Sequence, residues 1–210
     1  MKIIFLGAPG AGKGTHADKV SARLGIPTIS TGAIIRNAVK AGTKLGLEAK
    51  KIIEQGNLIP DEMVIGIVKE RLAESDCDKG YILDGFPRSV PQAIALDDMG
   101  VNLDKVVSLE VSDEEIIERM TGRRVCVGCG KTYHVLHIPS TKGDKCEACG
   151  DDLIIRADDH PDVVRSRLEV YHSITEPLKD FYLEKGILCT VIGAEAVEET
   201  TRRTFEALGI

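Results

Sequence analysis

The chain opens on Lys2-Ile3-Ile4-Phe5-Leu6, a short run of large apolar residues closed by Gly7. A continuous run of that length predicts a strand buried on both faces, as in a parallel sheet. From about Lys13 the apolar spacing changes to three and four. Ala17, Val20 and Leu24 then fall on one helical stripe, which Gly25 ends. Residues 81–83 (Tyr-Ile-Leu), 105–111 and 187–192 repeat the buried-strand signature, with helical patterns between them. Strands alternating with helices predict an α/β core, a parallel sheet with helices on both faces.

Two stretches break that alternation. Residues 30–59 carry two short helical patterns and no strand, with Ser30 or Thr31 as N-cap and Gly42 and Gly56 as stops. A core helix restarts at Pro60-Asp61, with Met63, Val64, Ile67, Val68 and Leu72 on one face. Residues 122–159 hold four cysteines and few large apolar side chains, too little to fold without help. From Pro161 a helix resumes, placing Val163, Val164, Arg167, Leu168, Tyr171 and Ile174 on one face. The expected organisation is a core of 1–29, 60–121 and 160–210 interrupted by insertions at 30–59 and 122–159.

The first strand leads into Gly7 to Thr15, GAPGAGKGT, which fits G-x-x-x-x-G-K between a strand and a helix. Glycines remove side chains so that successive N–H groups can wrap phosphate oxygens, and Lys13 adds a mobile charge at a helix N-terminus. Gly14 follows the lysine and Thr15 comes one place later, so the usual direct hydroxyl contact to Mg²⁺ is expected to be missing or altered. This loop predicts a nucleotide-binding protein.

The cysteines add a metal. Cys126 and Cys129 form one C-x-x-C and Cys146 and Cys149 another, with sixteen residues between the pairs. Glycines 128, 130 and 150 mark tight turns that let two sulfurs converge, and the spacing fits a tetrahedral zinc site. Redox dithiols or disulfides are the competing readings. Cys77 and Cys189 lack a partner at metal spacing and read as small core residues, and His134 and His137 as surface. A net charge of −6 argues against general affinity for nucleic acid or anionic membrane, so anion binding must come from local arginines and lysines. With no targeting segment or membrane-length apolar run, a cytoplasmic, monomeric protein is expected.

Residues 81–92, YILDGFPRSVPQ, narrow the reading further. Together with GAPGAGKGT, Thr31-Gly32 and Arg36, Gly122-Arg123-Arg124, Arg156 with Asp158-Asp159, and Arg165-x-Arg167, this stretch resembles the adenylate kinase family from Met1 to about Leu183. The resemblance implies a P-loop kinase core, an AMP-binding flap (30–59) and a LID (122–159) of the long, zinc-bearing kind. It implies an ATP side built from Gly10, Ala11, Gly12, Lys13, Gly14, Thr15, Arg123, Thr132 and Tyr133, with Glu195 beside the adenine. The AMP side would use Thr31, Arg36, Asn57, Leu58, Ile59, Gly85, Phe86, Pro87, Arg88 and Gln92. Arg156 and Arg167 would span the transferred phosphoryl group, Asp84 would hold Mg²⁺ through its waters, and Asp158 and Asp159 would orient the arginines. The small-molecule partners implied are ATP, AMP and ADP.

The chemistry suits those residue types. The acceptor is a phosphate oxygen, already anionic, so no base is needed. Two nucleotides bring roughly six negative charges together, which planar arginine forks and a lysine can neutralise. The alternatives are a kinase for another nucleoside monophosphate and a zinc-ribbon module that uses nucleotide as a switch.

Overall fold

The computed structural model describes residues 1–54 and 57–210. Its centre is a five-stranded parallel sheet of β1 (Lys2–Gly7), β2 (Thr28–Ser30), β3 (Tyr81–Asp84), β4 (Lys105–Glu110) and β8 (Leu188–Ile192), in the order β2-β3-β1-β4-β8. The α/β expectation holds, with one addition. Thr28–Ser30 pairs with β3 as an edge strand, immediately before Ser30 caps the next helix.

Alternation along β1 divides the interior in two. Ile4 and Leu6 face one side with Leu83, Phe86, Val106, Leu178 and Tyr182, packed by α4 (Asp61–Leu72), α5 (Val90–Asp98) and α8 (Leu178–Glu184). Ile3 and Phe5 face the other with Ile82, Val107 and Leu109, covered by α1 (Lys13–Leu24) and α9 (Val197–Leu208). Ile3, Ile4, Ile82 and Leu83 are fully buried. At about 2–3 kcal/mol for each such side chain, this core anchors the strand ends that build the site. Ala17 and Val20 are buried on α1, which stops at Gly25 in the left-handed conformation, as the pattern predicts.

Between β2 and α4 lie α2 (Thr31–Lys40) and α3 (Lys44–Glu54). Ser30 caps α2 by accepting from the Ala33 N–H at 3.4 Å, and Gly42 turns the chain at φ 66°. Gly56, expected as a stop, lies outside the described residues. After α6 (Asp113–Gly122) the chain forms a three-stranded antiparallel sheet from β5 (Arg123–Cys126), β6 (Thr132–His134) and β7 (Leu153–Ile154), in the order β6-β5-β7. Those strands are only two to four residues long, too short for an apolar alternation to reveal them.

The helix resuming at Pro161 is α7 (Pro161–Val170), and it runs into a π turn at Tyr171–Thr175. Val164, Leu168 and Tyr171 are buried as expected, but Ile174 is 42% exposed because the wider turn shifts the phase beyond Tyr171. Cys77 is buried, whereas Cys189 on β8 is only partly covered. No helix among the described residues is long and apolar enough to cross a membrane.

Candidate active site

All five parallel strands end at one edge, and the loops leaving them line a cleft of about 1090 Å³. This is the edge at which open α/β sheets place ligands. The loop after β1 turns on Gly10 and Gly12, at φ 88° and 94°, values that side chains resist. A Cβ on Gly10 would sit 2.8 Å from the Met120 sulfur, so bulk as well as backbone angle excludes other residues there. Gly12 then caps α1, whose first turn of N–H groups opens on the cleft.

Lys13 folds back over this loop. Its Nζ donates to the carbonyls of Gly7 and Ala8, each at 2.8 Å. Burial of that ammonium lowers its pKa to about 8; Asp84 pulls it up, while Arg88, Arg167 and Arg123 push it down. Asp84 ends β3 in register with Phe5 and Ser30, and a Cβ on Gly14 would meet its Oδ2 at 3.5 Å. The carboxylate therefore lies against the phosphate loop, where it fits a cation held through water.

Opposite the loop stand the arginines. Arg123 opens β5 and pairs bidentately with Asp159, its Nε donating to Oδ2 at 2.7 Å. Arg156 grips Asp158 in the same way, with Nε at 2.8 Å from Oδ1. Arg167, on α7, donates to the Asp158 carbonyl at 2.8 Å and lies 3.0 Å from its carboxylate and 3.6 Å from Asp159. Burial, against the pull of Asp158, lowers the Arg167 pKa to about 10. Burial would raise the Asp158 pKa, but Arg167 and Arg156 hold it below the usual carboxylate value. Arg88 is bound through its Nε to the Gly85 carbonyl at 2.9 Å, and burial lowers its pKa as well. Arg36 opens onto the same cleft. Among the groups just described, six cations stand with three carboxylates, an excess of positive charge around the phosphate loop.

On the β2–β3 side, Thr31 donates its hydroxyl to the Gly85 carbonyl at 2.8 Å, which joins the start of α2 to the loop after β3. Asn57, Leu58, Ile59, Gly85, Pro87 and Gln92 also border the cleft. Gln92 accepts from the Arg88 N–H at 2.7 Å and donates to Asp61 at 2.6 Å, leaving one of its amide hydrogens uncommitted. Phe86 does not join them; it is fully buried in the core beneath. Ala11 is likewise buried, with its N–H donating to the Ala8 carbonyl at 3.1 Å.

Tyr133 borders the cleft, but its hydroxyl points elsewhere. It accepts from the Glu147 N–H at 2.9 Å and lies 3.4 Å from the Cys146 sulfur, to which it donates when that sulfur is a thiolate. Thr132 remains at the cleft and Glu195 is exposed at its rim. The four cysteine sulfurs lie within 4.8 Å of one another, with Cys126–Cys149 at 3.3 Å and Cys129–Cys146 at 3.6 Å. A tetrahedral zinc with Zn–S bonds of about 2.3 Å needs sulfurs about 3.8 Å apart, so the cluster fits such an ion. Tyr133, donating to one sulfur, provides the kind of outer hydrogen bond that orients a ligand.

Three cleft residues escape the sequence reading. Arg119 on α6 bonds Glu115 and the Ala194 carbonyl, at 3.2 Å for the latter, tying that helix to the loop after β8. Its position one helical turn before Arg123 is the only signal the sequence offers. His134, expected at the surface, is buried: its Nδ1 accepts from the N–H groups of Leu136 and His137 at 3.1 and 3.2 Å, and its ring covers Gly122. His137 is exposed as expected. His16, buried under the phosphate loop, has its pKa lowered to about 4 by burial. The Thr201 hydroxyl donates to the Val197 carbonyl, so it accepts from His16 Nδ1–H at 3.1 Å and fixes the tautomer.

The adenylate kinase family model matches residues 5–187. An adenylate kinase of Caldicellulosiruptor saccharolyticus is 50% identical over 214 aligned positions that cover all of both chains. Those of Thermodesulfovibrio yellowstonii and Archaeoglobus fulgidus are each 51% identical, over 95% and 94% of this chain and 94% and 93% of their own. These matches support the kinase reading and lend nothing to the zinc-ribbon alternative. With its glycine loop, its arginine-lined cleft and this full-length likeness, the chain belongs to the adenylate kinase family.

Proposed function

We propose that the two sides of the cleft divide the family reaction, transfer of the terminal phosphoryl group of MgATP to AMP, between a donor and an acceptor site. The donor site is the loop Gly10–Thr15 with Arg123, Thr132 and the backbone around Tyr133; Arg119 and Glu195 border its base end. The acceptor site is Thr31, Arg36, Asn57, Leu58, Ile59, Gly85, Pro87, Arg88 and Gln92. The free amide hydrogen of Gln92 suits a ring nitrogen of adenine.

Arg88, Arg156 and Arg167 lie between the two, where the phosphoryl group must pass. They and Lys13 neutralise charge on its equatorial oxygens and hold the reacting oxygens in line. Mg²⁺ arrives with ATP and shields its phosphates, with Asp84 as the residue that would hold its water shell. Zinc at Cys126, Cys129, Cys146 and Cys149 would stiffen the 122–159 LID, far from the reacting atoms. Segments 30–59 and 122–159 act as flap and LID around the core, and closing them excludes water as a rival acceptor.

The observation that carries this reading is the surplus of cations around one cleft beside a phosphate loop. Replacing Arg88 by alanine is expected to lower turnover with AMP about 10²–10³-fold while ATP binding changes little, the usual effect of losing one preorganised donor. Unchanged turnover would reject the assignment.

A further inference from the structure

The helix that carries Arg167 does not keep its phase. After Val170 the next five residues form the π turn, closed where the Glu176 N–H donates to the Tyr171 carbonyl at 2.8 Å. An isolated π turn takes one extra residue into the helical step, and such turns recur at functional sites. Here the extra residue turns Ile174 out to solvent and brings Thr175 inward, where it is 8% exposed.

The Thr175 hydroxyl departs from the pattern that three threonines inside the regular helices follow. Thr121, Thr201 and Thr204 each donate to the carbonyl four residues back, at 2.8, 2.7 and 2.7 Å. That is the ordinary habit of helical threonine. Thr175 instead donates across the molecule to the carbonyl of Arg88 at 2.8 Å, 87 residues away in sequence. Arg88 is thereby held at both backbone groups: Gln92 accepts from its N–H, and its carbonyl accepts from Thr175. Asp61 steadies the first of these ties by accepting from both Gln92 and Ser89, at 2.6 and 2.8 Å. The second tie runs to the helix bearing Arg167, eight residues before Thr175.

We propose that Thr175 is a positioning residue for phosphoryl transfer: through the π turn it fixes Arg88 in register with Arg167, so that both guanidiniums meet the phosphoryl group as one unit. This rests on the assignment of both arginines to the phosphates. Nothing requires Thr175 to touch a substrate; its one hydroxyl proton is committed to Arg88. Its effect arises because small displacements of a charge-stabilising donor cost rate rather than affinity.

The test uses the full-length enzyme with ATP and AMP, well below the unfolding temperature. Thr175→Val keeps the branched shape and removes the donor. We expect kcat to fall about tenfold, the order one neutral hydrogen bond can supply, with KM for MgATP unchanged. Thr175→Ser restores the hydroxyl and is expected within about twofold of the parent. In an Arg88→Ala background, Thr175→Val is expected to cause no further loss. If the valine variant does not fold, Thr175→Ala carries the same expectations without steric demand. A folded variant with full kcat overturns the proposal, as does a loss that multiplies with that of Arg88→Ala. Failure of the underlying phosphate assignment reads out separately, as full turnover in Arg88→Ala alone.

Discussion

With Lys13 proposed on the nucleotide phosphates, binding is expected to depend on pH above neutrality. In the free enzyme its pKa is lowered to about 8, first by burial. A bound polyphosphate would return it well above 9, since several anionic oxygens then replace two neutral carbonyls. The free enzyme loses this charge as pH rises through about 8, whereas the complex keeps it, so binding takes up a proton and weakens with rising pH. A group of pKa about 8 is only about one-eleventh protonated at pH 9. Affinity for ATP should therefore fall about tenfold between pH 7 and 9, with uptake approaching one proton per nucleotide at the upper end. The last ionisation of a phosphate monoester, near pH 6, is complete before this window opens. Calorimetry in two buffers of different ionisation enthalpy measures the uptake directly, and Lys13→Arg, whose charge persists, should flatten the dependence. Uptake below about 0.2 proton at pH 9 would refute the reasoning. Folding responds in the opposite sense: the unfolded lysine stays charged up to about pH 10.5, so this group's contribution to stability of the free enzyme rises between pH 8 and 10.5.

Purified protein should carry one zinc per chain, and Cys129→Ser should loosen the antiparallel sheet while leaving the parallel core folded, as local hydrogen exchange would reveal; elemental analysis without stoichiometric zinc or iron would contradict this. The Lys40 ammonium donates to the Val127 carbonyl at 3.1 Å, linking α2 to the first cysteine turn. That contact belongs to a closed arrangement, so labels at Leu47 and Val127 should move toward the separation seen here when a bisubstrate analogue joining two adenosines through five phosphates is added to the free protein; an unchanged distance would argue against closure.

The parts of the site legible in the sequence are those written contiguously. The phosphate loop follows its strand and precedes its helix without a break, and Asp84 to Gln92 are nearly continuous in the chain. The five arginines are identified by neighbouring residues, because a lone arginine looks the same on any surface. What escaped was set by contacts distant in sequence or by broken periodicity. Arg119 sits four residues after Glu115, which suggests an ordinary surface ion pair. Tyr133 has its ring drawn to Cys146 by folding of the small sheet, and Phe86 is drawn into the core although its neighbours line the cleft. A π turn leaves no periodic trace of its own, so the apolar pattern carried the α-helical phase through Ile174 when the backbone had already changed step.

The carboxylates that hold Arg123, Arg156 and Arg167 have a consequence for how quickly the proposed enzyme can let go. A phosphate entering the cleft does not meet idle guanidiniums: Arg123 and Arg156 each already give two donors to Asp159 and Asp158, whose charge offsets part of theirs. Its net attraction is what remains after that offset, smaller than bare guanidiniums would give. When the phosphate departs, each arginine still has its carboxylate partner and is not left as an uncompensated charge. The acidic pair thus works as an internal competitor, moderating the grip of a strongly cationic site so that product can leave it without a large barrier.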